Sequence, residues 1–186
     1  MNKDVKIKSL IIDKPLKLDC GQTINNFPLA YETYGTLNKE KDNAILVFHA
    51  LTGDQFVSGI NPLTKKDGWW SYAVGPEKAI DTNKYFVICA NVIGGCMGSY
   101  GPSNIDPSTN KILGTNFPII TINDMVNAQY NLLDFFKIEK LFCVMGGSMG
   151  GMQVLQFVNN FPNKSKIAIP IACTASHSAQ NIAFNE

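Results

Sequence analysis

The stretch VMGGSMGGM, residues 144–152, sets four glycines around one serine. Glycine loses more backbone freedom on folding than any other residue, so such a cluster needs a local cause. Three causes compete: a loop that cradles phosphate, a plain flexible turn, or a strained turn that presents Ser148. The dinucleotide pattern G-x-G-x-x-G fails, because its third position is Ser148 counted from Gly146 and Met149 counted from Gly147. A phosphate loop needs Lys and then Ser or Thr after its last glycine, and Gly151 is followed by Met152 and Gln153. The pattern that fits is G-x-S-x-G, from Gly146 to Gly150.

The flanks agree with that choice. LFCVMG (141–146) is a short apolar run that suits a buried strand, and residues 149–160 form a helix candidate closed by Phe161-Pro162. In a strand-to-helix elbow the serine sits on a sharp, strained turn, and the residues two before and two after it must be small. Gly146 and Gly150 meet that demand. The turn lifts the Ser148 hydroxyl above a sheet, beside a helix N-terminus that favours developing negative charge. Ser148 is therefore the candidate nucleophile, and the Met149 N–H is one candidate oxyanion donor. The second is a backbone N–H in HALTG (49–53), which follows the first strong strand; Leu51 is the best placed. His49 is expected to hold that loop, because the catalytic histidine of such a site comes last in the order Ser, Asp, His.

Three more apolar runs resemble the first: AILVFHA (44–50), YFVICANV (85–92) and IAIPIA (167–172). None alternates polar with apolar residues, so all four are expected to be central, parallel strands buried on both faces. A second helix is expected over 123–136, with Thr121 and Asp124 spaced as a capping box. LKLDCGQTINNFPLAYETYG (16–35) predicts an antiparallel hairpin ahead of the sheet. The segments 53–80 and 94–118 are long and loop-like, which in a compact domain usually marks function. No repeat or linker divides the chain, so residues 1–186 are expected to be one α/β unit.

Composition excludes several classes. Hydrophobic residues are 45%, charged residues 17% and the formal net charge +1, which suits a globular protein without a nucleic-acid or membrane footprint. MNKDVKIKSLIID lacks the apolar region of a leader, and no apolar run reaches membrane-spanning length. Five cysteines without a C-x-x-C pair predict reduced thiols in a cytoplasmic protein, and two histidines without ligand spacing predict no metal site.

Longer motifs then point to a family. LAYETYGTLN (29–38), FHALTGDQFVSG (48–59), GWWSYAVGPEKAIDTNKYFVICANVIGGCMGS (68–99), GPSN (101–104), FPIITINDMVNAQ (117–129), GGSMGGMQVLQF (146–157) and SAQNIAFNE (178–186) stand in the same order. The sequence resembles the homoserine O-acetyltransferase family of the α/β-hydrolase superfamily, specifically its N-terminal half, and departs from it at Tyr100, where a small hydroxyl residue is usual. The resemblance implies an α/β-hydrolase-type, mainly parallel sheet with an antiparallel N-terminal hairpin, truncated before a helical lid. It also implies transfer of an acetyl group from acetyl-CoA to L-homoserine through an acetyl-Ser148 intermediate, in methionine biosynthesis. Acetyl-CoA would be a co-substrate with no further cofactor, and the full-length form would be a homodimer through the lid.

The resemblance places the catalytic Asp and His, and an arginine for the homoserine carboxylate, beyond Glu186. His177, in TASHSAQ, is expected to be a loop histidine rather than the base. The 186-residue chain is thus expected to have negligible turnover and an uncovered edge strand. Three alternatives stay open: a succinyl donor, an esterase or thioesterase of the same fold, and a non-catalytic gene fragment.

Overall fold

The computed structural model describes residues 7–184. The opening MNKDVK of the stretch read above as no leader, and Asn185-Glu186 at the end of the family-like SAQNIAFNE, lie outside them.

Six strands form the main sheet: β1 (Ser9–Ile12), β2 (Phe27–Tyr34), β3 (Ala44–Phe48), β4 (Phe86–Ala90), β5 (Leu141–Gly147) and β6 (Ser165–Ile171), in the order β1-β2-β4-β3-β5-β6. The last four are parallel to one another, as their unbroken apolar character predicts. The two N-terminal strands are antiparallel, β1 to β2 and β2 to β4. Every residue of β3 and β4 is buried. The cause is a cover on each face. Leu46, Phe48, Ile88 and Val144 pack into one apolar cluster with Val126, Leu132, Val154 and Phe157 of the two long helices. Ile45, Val47, Val87, Cys143 and Met145 pack into a second with Val57, Val74 and Ile80 of the long 53–80 segment. Each fully buried Phe or Leu contributes about 1.5–3 kcal/mol, so both layers are needed.

The helices lie where the pattern put them. In α1 (Ile122–Phe136) the Asp124 N–H donates to Thr121 Oγ1 at 3.2 Å, and the Thr121 N–H donates to Asp124 Oδ2 at 2.9 Å, a complete capping box. Next, α2 (Met149–Asn160) ends at Phe161, and a five-residue helix, α3 (Ala179–Ala183), follows β6.

Two expectations need correction. The hairpin predicted over 16–35 does not lead the sheet as one unit. Leu16–Lys17 and Thr23–Ile24 form a separate two-residue ribbon, while β2 pairs with β1, a strand the pattern did not mark. The tight turn explains the split: the Leu18 N–H donates to the Gln22 carbonyl and the Gly21 N–H to the Leu18 carbonyl, which closes the ribbon on itself. The run 167–172 was expected to be buried on both faces, yet β6 is exposed from Lys166 to Ile171. Among the described residues it is an edge strand, paired on one side only, with β5, which agrees with the uncovered edge expected above.

Candidate active site

Strand β5 ends at Gly147 and α2 begins at Met149, so Ser148 alone makes the turn, with φ 56° and ψ −123°. A non-glycine residue held there stores on the order of 1–3 kcal/mol of strain. Two hydrogen bonds hold it: the Ser148 N–H donates to the Ile171 carbonyl at 3.0 Å, and its carbonyl accepts from the Met152 N–H at 3.1 Å. The glycines serve close approach instead. A Cβ at Gly146 would lie 2.6 Å from the Gly150 backbone, and one at Gly150 would lie 2.1 Å from the Phe48 carbonyl oxygen. At Gly151 it would meet Cys173 Sγ at 2.6 Å, whereas at Gly147 it would meet nothing within 4 Å. Three of the four glycines thus let α2 sit against β3, β5 and the segment after β6.

The turn after β3 is fixed by a buried histidine. His49 is 2% exposed, and its Nε2 accepts from the Val92 N–H at 3.1 Å, with the Asn91 Nδ2 at 3.3 Å. The proton therefore sits on Nδ1, which donates to the Ala50 carbonyl at 2.7 Å. Burial holds this imidazole below its ordinary pKa, against opposing contributions from the Ala50 carbonyl and Asp54. The Ala50 carbonyl also accepts from the Gly53 N–H at 2.9 Å. In a trans peptide the N–H points opposite the C=O, so anchoring that carbonyl inward turns the Leu51 N–H outward. Met149 is the first residue of α2, where no intrahelical partner exists for its N–H.

One side chain bridges the end of β3 and the first turn of α2. Gln153, fully buried, directs its Nε2 at the carbonyls of His49 and Met149, each at 3.4 Å. Its Oε1 accepts from Gln129 Nε2 at 2.7 Å. Gln129 and Gln153 were not marked in the sequence, although a glutamine in the apolar run MGGMQVLQF is the signal that could have flagged one.

Ser148, Met149 and Leu51 line one cavity of about 630 Å³ with Cys173, Thr174 and His177. His177 is thus brought into the cavity of Ser148, although its residue stays exposed in the loop after β6. Leu51, 77% exposed, stands at the mouth. The thiols of Cys89 and Cys143 are pushed up by burial, the second to about 11, which makes them poor nucleophiles. Among the described residues no group of three His, Cys, Asp or Glu side chains is placed to hold a metal, and no helix is long and apolar enough to cross a membrane. The arrangement offers a strained hydroxyl at a helix N-terminus, in a cavity that Leu51 and Met149 also line. That is the equipment of acyl transfer.

The family model of the alpha/beta hydrolase fold matches residues 43–178. The chain belongs to the alpha/beta hydrolase fold family. It is 83% identical over 186 residues to the homoserine O-acetyltransferase of Pelagibacter ubique (strain HTCC1062), covering 100% of this chain and 50% of that protein. Among solved structures, homoserine O-acetyltransferase from Bacillus anthracis superposes with a TM-score of 0.84 at 33% identity, covering 94% of this chain and 48% of that one. An acetylester hydrolase from Corynebacterium glutamicum superposes with a TM-score of 0.75 at 36% identity, covering 96% and 47%. The chain spans about half the length of the curated relatives it matches.

Proposed function

We propose that Ser148 is the nucleophile of an acyltransferase that moves an acetyl group from acetyl-CoA to the hydroxyl of L-homoserine. The observation that carries this is the single-residue elbow: Ser148 at φ 56°, sharing a cavity with the Leu51 and Met149 backbone. The 83% identity to a homoserine O-acetyltransferase supports the choice of substrates. Ser148 Oγ attacks the thioester carbonyl, its proton passing to the histidine that the chain order of this fold puts after the nucleophile. The carbonyl oxygen becomes an oxyanion between the Leu51 and Met149 N–H groups. The C–S bond breaks, CoA leaves with a proton, and the acetyl group stays on Ser148. The homoserine hydroxyl then attacks that ester, giving its proton to the same histidine, and the Ser148 O–C bond breaks as that proton returns to Ser148 Oγ. No prosthetic group takes part in this scheme, CoA being a substrate, and a cytoplasmic setting and a dimeric whole protein belong to the same reading.

A second reading has its own support, since the Corynebacterium glutamicum acetylester hydrolase shares the fold at 36% identity. In that case water takes the acyl group. Incubating the full-length protein with acetyl-CoA and homoserine, and quantifying O-acetylhomoserine against free acetate, separates the two. Ser148→Ala should abolish the acyl adduct seen by mass spectrometry and lower turnover by at least about a thousandfold. An adduct formed on the variant at the wild-type rate would show that another residue attacks.

A further inference from the structure

Leu51 and Met149 belong to the walls of two cavities, so the proposed oxyanion position lies on the ridge between them. The cavity that contains Ser148 is the larger and also carries Thr174, His177 and Asn181. The other, of about 460 Å³, is walled by Ile93, Phe117, Ile120 and Met125, with the uncharged polar Asn91 and Cys96 also on its lining. No lysine, arginine, aspartate or glutamate among the described residues lines it. Its one imidazole, His49, is neutral with both ring nitrogens engaged.

A thioester carbonyl held with its oxygen on that ridge directs its two other substituents apart, one to each cavity. The CoA portion is bulky and takes the larger cavity, on the Ser148 side. The acyl chain is small and apolar. We infer that the cavity walled by Ile93, Phe117, Ile120 and Met125 is the acyl-chain subsite, and that it takes an uncharged, straight aliphatic chain longer than acetyl as well as acetyl itself. The inference rests on the acyl-transfer reading above. Its volume far exceeds that of a methyl group, so a chain of a few carbons has room. A terminal carboxylate, as in a succinyl group, would be buried there without a cation and is disfavoured. The depth of the subsite is set partly from behind. Tyr100, which does not line it, packs its ring on Phe117 with centroids 5.3 Å apart, and rests in turn on Phe27 at 6.2 Å. Tyr100 is therefore a positioning residue for the Phe117 wall.

The test is acylation of Ser148 in the full-length protein, followed by peptide mass spectrometry with acetyl-CoA, butyryl-CoA and succinyl-CoA. Butyryl is expected within about tenfold of acetyl, and succinyl slower than acetyl by about a hundredfold or more. Ile120→Trp, which fills the cavity, should lower the butyryl-to-acetyl rate ratio by about tenfold or more. Tyr100→Ala, which releases Phe117, should raise that ratio about threefold or more, and carries the test if the tryptophan variant does not fold. A ratio that moves with neither substitution, or succinyl acylating as fast as acetyl, overturns the subsite. Absence of any adduct at Ser148, acetyl included, overturns the nucleophile assignment itself and the subsite with it. The first pair of failures leaves acetyl transfer standing; the last does not.

Discussion

At the scale of single residues, His49 is the side chain whose chemistry can be followed most closely. Its Nε2 must stay unprotonated to accept from Val92, and its Nδ1 proton anchors the carbonyl that orients Leu51. Its folded pKa is lowered from 6.5, mainly by burial. The unfolded chain therefore binds a proton that the folded protein refuses, and stability is full above about pH 6.5 and falls as pH drops through the folded value. The loss cannot exceed about 1.4 kcal/mol per pH unit. Asp54 faces His49, and its own pKa is raised, first by burial, so its protonation works in the opposite direction. Comparing urea melts of the wild type and His49→Gln at pH 7.5 and 5.5 isolates the histidine. The variant should be less stable at pH 7.5 and show a smaller drop on acidification. An identical drop in both would mean that His49 is not the group responsible. Ser148 and the small residues around it were legible because a steric demand is written directly as glycine. The role proposed for Leu51 rests on its place after a strand alone, since any residue supplies a backbone N–H.

At the scale of elements, the elbow is a contact between α2 and two strands, and the glycines carry it unequally. Gly150→Ala places a methyl 2.1 Å from the Phe48 carbonyl oxygen, whereas Gly147→Ala places one in open space. The first should cost about 2 kcal/mol or more and the second less than about 0.5 kcal/mol, measured by denaturant melts. Equal costs would mean that the cluster serves the turn and not the approach. The parallel strands β3, β4 and β5 were legible because cover on both faces leaves a plain apolar run. Strand β1 was not, since SLII is too short for a period and gains its partner only from β2. Nor was the clamp between α1 and α2. A glutamine on a helix reads as surface, and burial of Gln153 becomes favourable only where Gln129 and two carbonyls meet it. Gln153→Leu should lower kcat about tenfold with KM changed less than about twofold, because the bridge ties the end of β3 to the first turn of α2, the two segments that carry the proposed donors. A variant with lowered melting temperature and unchanged kcat would reduce Gln153 to packing.

At the scale of the molecule, the sheet is unequally protected, and the weak side is the one that supports the site. Strands β3 and β4 are sealed between two layers, while β6 exposes Ile167 by 43%, Ile169 by 40% and Ile171 by 38%. These three alternate along the strand and so share one face, beside an edge whose outer backbone groups pair with no described strand. The same strand supplies the Ile171 carbonyl that holds the Ser148 N–H, and the following Cys173 packs against Gly151. An exposed apolar edge is a template for pairing with another chain. Pro170 removes one donor from it but leaves the isoleucine face intact. A protein of residues 1–186 should therefore self-associate with rising concentration in sedimentation velocity. Ile169→Lys, which adds a charge at the middle of that face, should shift the distribution toward monomer. If the wild type and the variant sediment alike as monomers at high concentration, the edge is not a pairing surface, and the support it gives to Ser148 needs no cover.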